Sequence, residues 1–211
     1  MIADNQVIAD YIMQSYRCDC AVIAYGGDHA LAVAADDTAH AELPERYALA
    51  LCRIEPENNV HMILEAWSTL TQLLVFVGNW DKSAYGRELR AKYRQHHAIR
   101  LIDPIYEPAK LRALRDRAWV YIHGHSAGGT NPSLVEMMPF GIPIIAHGCS
   151  FNRHSTADAA RYFETPAELV AVMHGLSETD AARIGTAMRE LARSRYMWSQ
   201  IGAAYFKQLN A

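Results

Sequence analysis

The segment GHSAGGTNPSLVEMM, residues 124–138, contains a Gly-Gly pair, an Asn-Pro pair and a helix-like run, and it follows the apolar stretch WVYI. Asn131 followed by Pro132 is typical of a capped helix start, and Gly128 with Gly129 lets a ligand approach the backbone closely. Free N–H groups at a helix start carry partial positive charge, which attracts phosphate. The spacing fits neither a P-loop nor a G-x-G-x-x-G motif, so it predicts an anion site without naming the ligand.

Glu136 lies about one turn into the helix that this junction predicts. Its carboxylate has two explanations, and the spacing alone leaves both open. Either it accepts hydrogen bonds from vicinal hydroxyls such as those of a ribose, or it completes a Ser-x-x-Glu capping box with Ser133.

Arg53, in the stretch RIEPENN, follows the apolar run YALALC. A guanidinium at the end of a strand can bind a diphosphate with its two-pronged fork. The plainer explanation is a surface ion pair with Glu55 or Glu57, and this segment taken alone favours it. The turn Gly26-Gly27 is a third strand-end candidate for ligand binding.

Three histidines at predicted strand ends, His123, His125 and His147, raise the question of a metal. His123 and His125 share a strand face by alternation. No further ligand with carboxylate spacing accompanies them, so we expect hydrogen-bonding histidines and no metal site.

Short apolar runs separated by amphipathic patterns predict the elements that position these residues. Runs without strict alternation are typical of parallel strands covered on both faces. The predicted fold class is therefore α/β, a Rossmann-like parallel sheet of about six strands with helices on both faces, which binds ligands at the carboxyl ends of its strands. The predicted strands are 20–26, 47–54, 72–78, 98–105, 119–124 and 142–148, and the predicted helices between them are 59–71, 83–95, 107–117 and 132–140.

The remaining segments carry weaker signals. A helix capped by Asp4 or Asn5 is expected before the first strand, and residues 28–46 are expected to form a loop or short hairpin. Thr165 predicts the N-cap of a helix that stops at Gly175. A closing amphipathic helix is expected to pack three side chains, Trp198, Ile201 and Phe206.

The composition excludes several classes of function. The 211-residue chain has a formal net charge of -3 and an isoelectric point near 6.4, so we expect no nucleic-acid partner. No segment approaches the roughly 20 apolar residues that cross a bilayer, and the first residues lack a secretion signal. We expect a cytoplasmic protein with at most peripheral contact to the inner face of the cell membrane, and the four cysteines are expected to be reduced thiols.

Four stretches together resemble the C-terminal, donor-binding domain of family 4 glycosyltransferases, which have the two-domain GT-B fold. They are RIEPENNVHMILEAW, VGNW, GHSAGGTNPSLVEMMPFGIPIIAH and YMWSQIGAAYF. The sequence GHSAGGTNPSLVE followed by FNR, together with IADNQVIADYI near the N-terminus, is similar to a bacterial rhamnosyltransferase subgroup that builds cell-surface polysaccharides. The likeness covers nearly the whole chain.

The resemblance implies a role for each matching residue. Arg53 would bind the donor pyrophosphate and Glu136 the nucleotide ribose, and these two are the expected catalytic residues. The backbone of Thr130 to Leu134 would hold the phosphates, the segment Ile102 to Tyr106 would lie beside the nucleobase, and the glycine turn would lie near the interdomain cleft. The expected donor site, without a metal, comprises Gly26, Gly27, Arg53, Asn58, Ile102, Asp103, Ile105, Tyr106, Gly128, Gly129, Thr130, Asn131, Pro132, Ser133, Leu134 and Glu136.

Two positions depart from the family pattern. The first Glu of the E-x7-E motif falls at Gly128, which removes a usual contact to the transferred sugar. The pyrophosphate-binding Lys falls at Asn58, which removes one cation from the diphosphate. A 6-deoxy sugar offers one fewer hydroxyl for such contacts, and this is compatible with the first change.

We therefore expect the donor-binding half of a retaining glycosyltransferase that transfers rhamnose from dTDP-rhamnose, or another dTDP- or UDP-sugar, to a glycan or lipid-linked glycan acceptor. Residues 1–18 are expected to end an absent N-terminal domain, 19–195 to bind the donor and 196–211 to form the closing helix. Without that partner domain we expect weak nucleotide binding, no turnover and no tightly bound cofactor. The alternatives are a non-catalytic nucleotide-binding or interaction module, and a sugar-nucleotide epimerase, which also needs a second domain.

Overall fold

A six-stranded parallel sheet forms the centre of the protein, whose computed structural model describes residues 1–210. A separate parallel pair, β1 (Ile2–Ala3) and β2 (Ala21–Val22), lies outside it. The main sheet has the strand order β5-β4-β3-β6-β7-β8. Its strands are β3 (Tyr47–Leu51), β4 (Leu74–Val77), β5 (Ile99–Ile102), β6 (Ala118–His123), β7 (Ile144–His147) and β8 (Arg161–Phe163).

Helices cover both faces of this sheet. One face packs against α2, α3 and α7, and the other packs against α4, α5 and α8. The helices are α1 (Gln6–Tyr16), α2 (Val60–Trp67), α3 (Ala84–Tyr93), α4 (Pro108–Asp116), α5 (Pro132–Met137), α6 (Ser150–Ser155), α7 (Pro166–Gly175), α8 (Glu178–Arg195) and α9 (Trp198–Leu209). The predicted α/β fold with helices on both faces is confirmed.

The central strands are buried along nearly their whole length, which explains their continuous apolar sequences. Five helices begin at a side-chain cap that the sequence displays: Asn5, Ser83, Asn131, Thr165 and Ser177 each accept a hydrogen bond from an amide in the first turn. The predicted caps at Asn5 and Thr165 and the helix end at Gly175 are therefore confirmed.

One predicted strand is wrong, and one predicted helix ends earlier than expected. The run 20–26 contributes only β2, which pairs with β1 and not with the main sheet. The sixth strand is instead β8, which the sequence analysis missed because this edge strand has three residues and an exposed Arg161. The predicted helix 132–140 is also shorter than expected, because Met138–Phe140 continues as a 3-10 turn that contains Pro139.

The closing helix α9 forms, but its packing differs from the expectation. Ile201 is buried, whereas Trp198 is 43% exposed and Phe206 is 68% exposed. The prediction that Phe206 packs is therefore wrong. Residues 28–46 contain a 3-10 turn at Asp28–Leu31 and otherwise turns and bends, in line with the expected loop.

Candidate functional site

A cavity of about 550 Å³ opens at the carboxyl ends of four neighbouring strands, β5, β4, β3 and β6. Each strand and the loop that follows it contribute lining residues, which is the expected location for a ligand in an open parallel sheet. The lining residues are Leu51–Arg53 and Asn58, Val77–Asn79, Pro104–Tyr106, His125 and Gly129–Ser133, together with Asp4 and Tyr25.

Arg53 and the 129–133 segment line this same cavity. The Arg53 side chain is 66% exposed, and its Nη1 lies 3.1 Å from Glu55 Oε2. The ion pair that the sequence favoured is therefore present. Because the pair is exposed, it contributes little stability, and a diphosphate can compete for the guanidinium.

The turn before α5 has the geometry that its sequence predicts. Gly128 has a φ of +99°, a left-handed conformation that favours glycine. Asn131 caps α5 by accepting from the Ser133 amide at 3.0 Å. The Leu134 amide donates to the Asn131 carbonyl, and Pro132 has no N–H. The amides that can donate to a ligand at this junction are therefore those of the turn before Pro132.

Asn58 is almost fully buried and has two partners at the floor of the cavity. Its Nδ2 donates to the Arg53 carbonyl at 2.7 Å, and its Oδ1 faces His125 Nδ1 at hydrogen-bond distance. Because Oδ1 only accepts, His125 Nδ1 carries the proton. Burial lowers the pKa of His125, so its ring faces the cavity as a neutral imidazole.

Glu136 lies outside the lining of the cavity. One carboxylate oxygen pairs with Arg115, whose side chain is 5% exposed, and the other lies 3.3 Å from His29 Nε2. The capping-box explanation is wrong, because Asn131 and not Ser133 caps the helix. In this structure the carboxylate is engaged by protein partners, and contact with a ribose would require the His29 contact to open.

Six further predicted site residues are also not among those that line the cavity. Gly26 packs against the Trp198 ring, and Gly27 lies so close to the Val135 carbonyl that a side chain there would overlap it. Asp103 pairs with Arg90 at 2.8 Å. The other three are Ile102, which packs against the core, Leu134, which is buried in the core, and Gly128, which is exposed.

The cavity also contains residues that the sequence analysis did not assign to it. Asn79 and His125 follow strand ends, so their position along the sheet was a usable signal. Tyr25 follows β2. Asp4 precedes α1 and reaches the cavity from the N-terminal segment, for which the sequence gives no local signal.

The three histidines do not form a metal centre with other ligands: within residues 1–210 no group of three or more His, Cys, Asp or Glu side chains has a geometry that holds a metal ion. His123 is buried at the end of β6, and burial lowers its pKa to about 3. Across the same residues, no helix is both long enough and apolar enough to span a membrane.

Residues 36–173 match the protein family described as "Glycosyl transferases group 1". The match covers more than half of the chain, and the chain belongs to this family. No curated protein sequence matches this chain.

Several solved structures have the same fold at low sequence identity. HepE of Anabaena, in complex with UDP-glucose, superposes with a TM-score of 0.83 at 17% identity, over 99% of this chain and 63% of that chain. Sucrose-phosphate synthase from Thermosynechococcus elongatus superposes with a TM-score of 0.79 at 16% identity, over 99% of this chain and 57% of that chain. The GtfA/B complex superposes with a TM-score of 0.72 at 17% identity, over 99% of this chain and 44% of that chain. The chain therefore spans between 44% and 63% of the length of these proteins.

Proposed function

We propose that this chain is the donor-binding half of a retaining glycosyltransferase and that the cavity at the ends of β3 to β6 holds a sugar nucleotide. The observation that carries the proposal is the shared cavity of Arg53 and the 129–133 turn. Membership in the glycosyltransferase family supports the same reaction class. HepE, which has the same fold, was solved with UDP-glucose and with UDP.

In this proposal the chemistry is electrostatic. Arg53 and those amides of the turn before Pro132 that the Asp4 carboxylate does not engage stabilise the negative charge that develops on the departing nucleoside diphosphate. Tyr106, which is 83% exposed, and Ile105 offer flat and apolar surface for the base. Glu136 reaches the ribose only by exchanging its contact with His29, since Arg115 holds the other oxygen.

The identity of the donor is the finer part of the proposal. We propose dTDP-rhamnose, because the sequence resembles rhamnosyltransferases. In addition, Gly128 stands where family 4 glycosyltransferases have the first Glu of the E-x7-E motif, and a 6-deoxy sugar offers one fewer hydroxyl for that contact. UDP-glucose is the competing donor, since HepE binds it. The acceptor would be a glycan or lipid-linked glycan that contacts a second domain. A non-catalytic module would bind the same nucleotides without any transfer when that domain is supplied.

The test is a titration of the 211-residue chain with UDP and dTDP, followed by amide NMR shifts, which report weak binding. Arg53→Ala is expected to weaken binding of both nucleotides by about tenfold or more, because a charge-assisted hydrogen bond to phosphate is lost. Lys82→Ala is a matched control: its Nζ lies 3.9 Å from the same Glu55, its side chain is 65% exposed, and it does not line the cavity. Equal affinities for wild type and Arg53→Ala would remove Arg53 from the site.

A further inference from the structure

The cavity has a single carboxylate among its lining residues, Asp4. Its single Lys or Arg side chain is Arg53. A carboxylate repels a diphosphate but accepts hydrogen bonds from hydroxyl groups. The two charges therefore divide the cavity into a region for an anion and a region for a hydroxyl-bearing group.

Asp4 is held in place through its main chain and its neighbour. Thr130 Oγ1 donates to the Asp4 carbonyl. Asn5, which is fully buried, donates through Nδ2 to Thr130 Oγ1 at 3.4 Å and to Ser155 Oγ at 3.2 Å. These hydrogen bonds connect the N-terminal segment to the turn before α5, and the Asp4 side chain lines the cavity.

Gly129 explains how closely the carboxylate approaches that turn. A Cβ placed on Gly129 would overlap the carboxylate of Asp4. Glycine at this position therefore makes room for the carboxylate. Burial raises the pKa of Asp4, and backbone hydrogen bonds from Asp4 and Thr130 oppose the shift in part. Partial dehydration strengthens each hydrogen bond that the carboxylate accepts there.

The strand order places Asp4 at one end of the cavity. The lining segments follow β5, β4, β3 and β6, which are neighbours in that order. Pro104–Tyr106 therefore lies at the β5 end, Arg53 follows β3 in the middle, and Gly129 lies at the β6 end with Asp4 against it. A nucleotide with its base at Pro104–Tyr106 and its diphosphate at Arg53 directs its remaining group toward Asp4.

We propose that Asp4 binds hydroxyl groups of the transferred sugar and so selects the donor, an inference that rests on the proposed donor site. The carboxylate accepts hydrogen bonds from two hydroxyls or from one hydroxyl in a bifurcated manner. It makes no favourable contact with the nucleoside diphosphate itself.

The test compares affinities of a sugar nucleotide and its parent diphosphate for the 211-residue chain, measured by amide NMR titration. The pairs are UDP-glucose with UDP, and dTDP-rhamnose with dTDP. Asp4→Asn keeps the side-chain shape, and the Thr130 bond to the Asp4 carbonyl is unaffected. We expect Asp4→Asn to weaken the better-binding sugar nucleotide by about tenfold while UDP and dTDP bind as tightly as to wild type, or more tightly.

Asp10→Asn is the matched control. Asp10 is exposed on α1, accepts a hydrogen bond from Gln6 at 2.8 Å and does not line the cavity, so all affinities should stay at their wild-type values. Equal loss of sugar nucleotide and diphosphate in Asp4→Asn would overturn the inference, because it would show a structural effect. Unchanged affinities would overturn it as well. Failure of wild type to bind UDP and dTDP would instead overturn the proposed donor site.

Discussion

At the scale of single residues, the pair of Arg115 and Glu136 joins α4 to α5. Arg115 is nearly fully buried on α4, and its Nη2 pairs with Glu136 on α5. Arg115 Nε has no partner within residues 1–210. A buried guanidinium depends on its counter-ion, since removal of one partner leaves an uncompensated charge. The ion pair of Glu136 with Arg115 therefore competes with any contact between Glu136 and a ligand.

We predict that Glu136→Gln lowers the free energy of unfolding by about 3 kcal/mol, the lower end for a broken buried pair, because Glu136 keeps some exposure. Urea denaturation measures this change. The double variant Arg115→Met with Glu136→Leu removes both charges and is expected to recover most of the loss. A Glu136→Gln protein as stable as wild type would show that the pair does not hold α5.

The sequence predicted those site residues that can be recognised from their neighbours in the chain. Arg53 follows an apolar run, and Gly129 precedes an Asn-Pro helix start. Both signals come from neighbouring residues in the sequence, and the structure brings both residues to one cavity. Glu136 was not readable in this way, because its partner Arg115 belongs to another helix. Asp4 was equally hidden, since its contact with Thr130 joins residues 126 positions apart.

At the scale of elements, α9 depends on contacts with the segment Asp28–Leu31. Met197, its N-cap residue, provides no side-chain cap, and Asp28 Oδ1 instead accepts from the Trp198 amide at 2.8 Å. Trp198 Nε1 donates to His29 Nδ1 at 2.9 Å. Because the indole only donates, His29 Nε2 carries the proton and faces Glu136. These bonds connect α9 to α5.

We predict that Trp198→Ala speeds amide hydrogen exchange in α9 by about tenfold or more, because the helix loses its packing against Gly26 and its bond to His29. Exchange in β3 and β6 should not change. Phe206→Ala is the matched control, since Phe206 is an aromatic residue on the same helix and is 68% exposed. If both variants exchanged alike, the contacts of Trp198 would not be what holds α9.

The elements were predictable where burial is continuous. The runs that form β3, β4 and β6 are buried strands, and their sequence is apolar throughout. β8 was not predictable, since an edge strand of three residues depends on pairing with β7 and leaves Arg161 exposed. The run 20–26 is apolar for another reason: Ile23 is buried outside the main sheet, where β2 pairs with β1.

At the scale of the whole molecule, buried histidines make stability depend on pH. His123 is buried on the central strand β6, and its Nε2 has no partner within residues 1–210. Burial is the main cause that lowers its pKa to about 3, and nearby His125 and His147 contribute to the same shift. Burial also lowers the pKa of His125, His147 and His154. The folded protein therefore favours the neutral form of all four imidazoles.

The sign of the effect follows from these directions. The unfolded chain takes up a proton on each histidine near pH 6.5, whereas the folded protein resists protonation of His123 until about pH 3. The part of the unfolding free energy that depends on the neutral histidines is therefore fully present above about pH 6.5. It falls as the pH decreases, by up to about 1.4 kcal/mol per pH unit for each such histidine. Carboxylates with lowered pKa, such as Asp36 and Asp180, lose their contribution only at lower pH, below about 4. Between pH 6.5 and 5 these two carboxylates therefore add little to the pH dependence, and Asp4, whose pKa burial raises, is common to wild type and variant.

We predict that His123→Phe reduces the slope of unfolding free energy against pH in this range by nearly one proton, because the unfolded chain then has one fewer group to protonate. Urea denaturation at half-unit steps of pH measures the slope, and the slope is informative even when the substitution lowers stability at every pH. His174→Phe, at an exposed position on α7, is the control and should leave the slope unchanged. Equal slopes for wild type and His123→Phe would contradict a neutral imidazole buried on β6, and with it the view that the centre of the sheet excludes protons at moderately acidic pH.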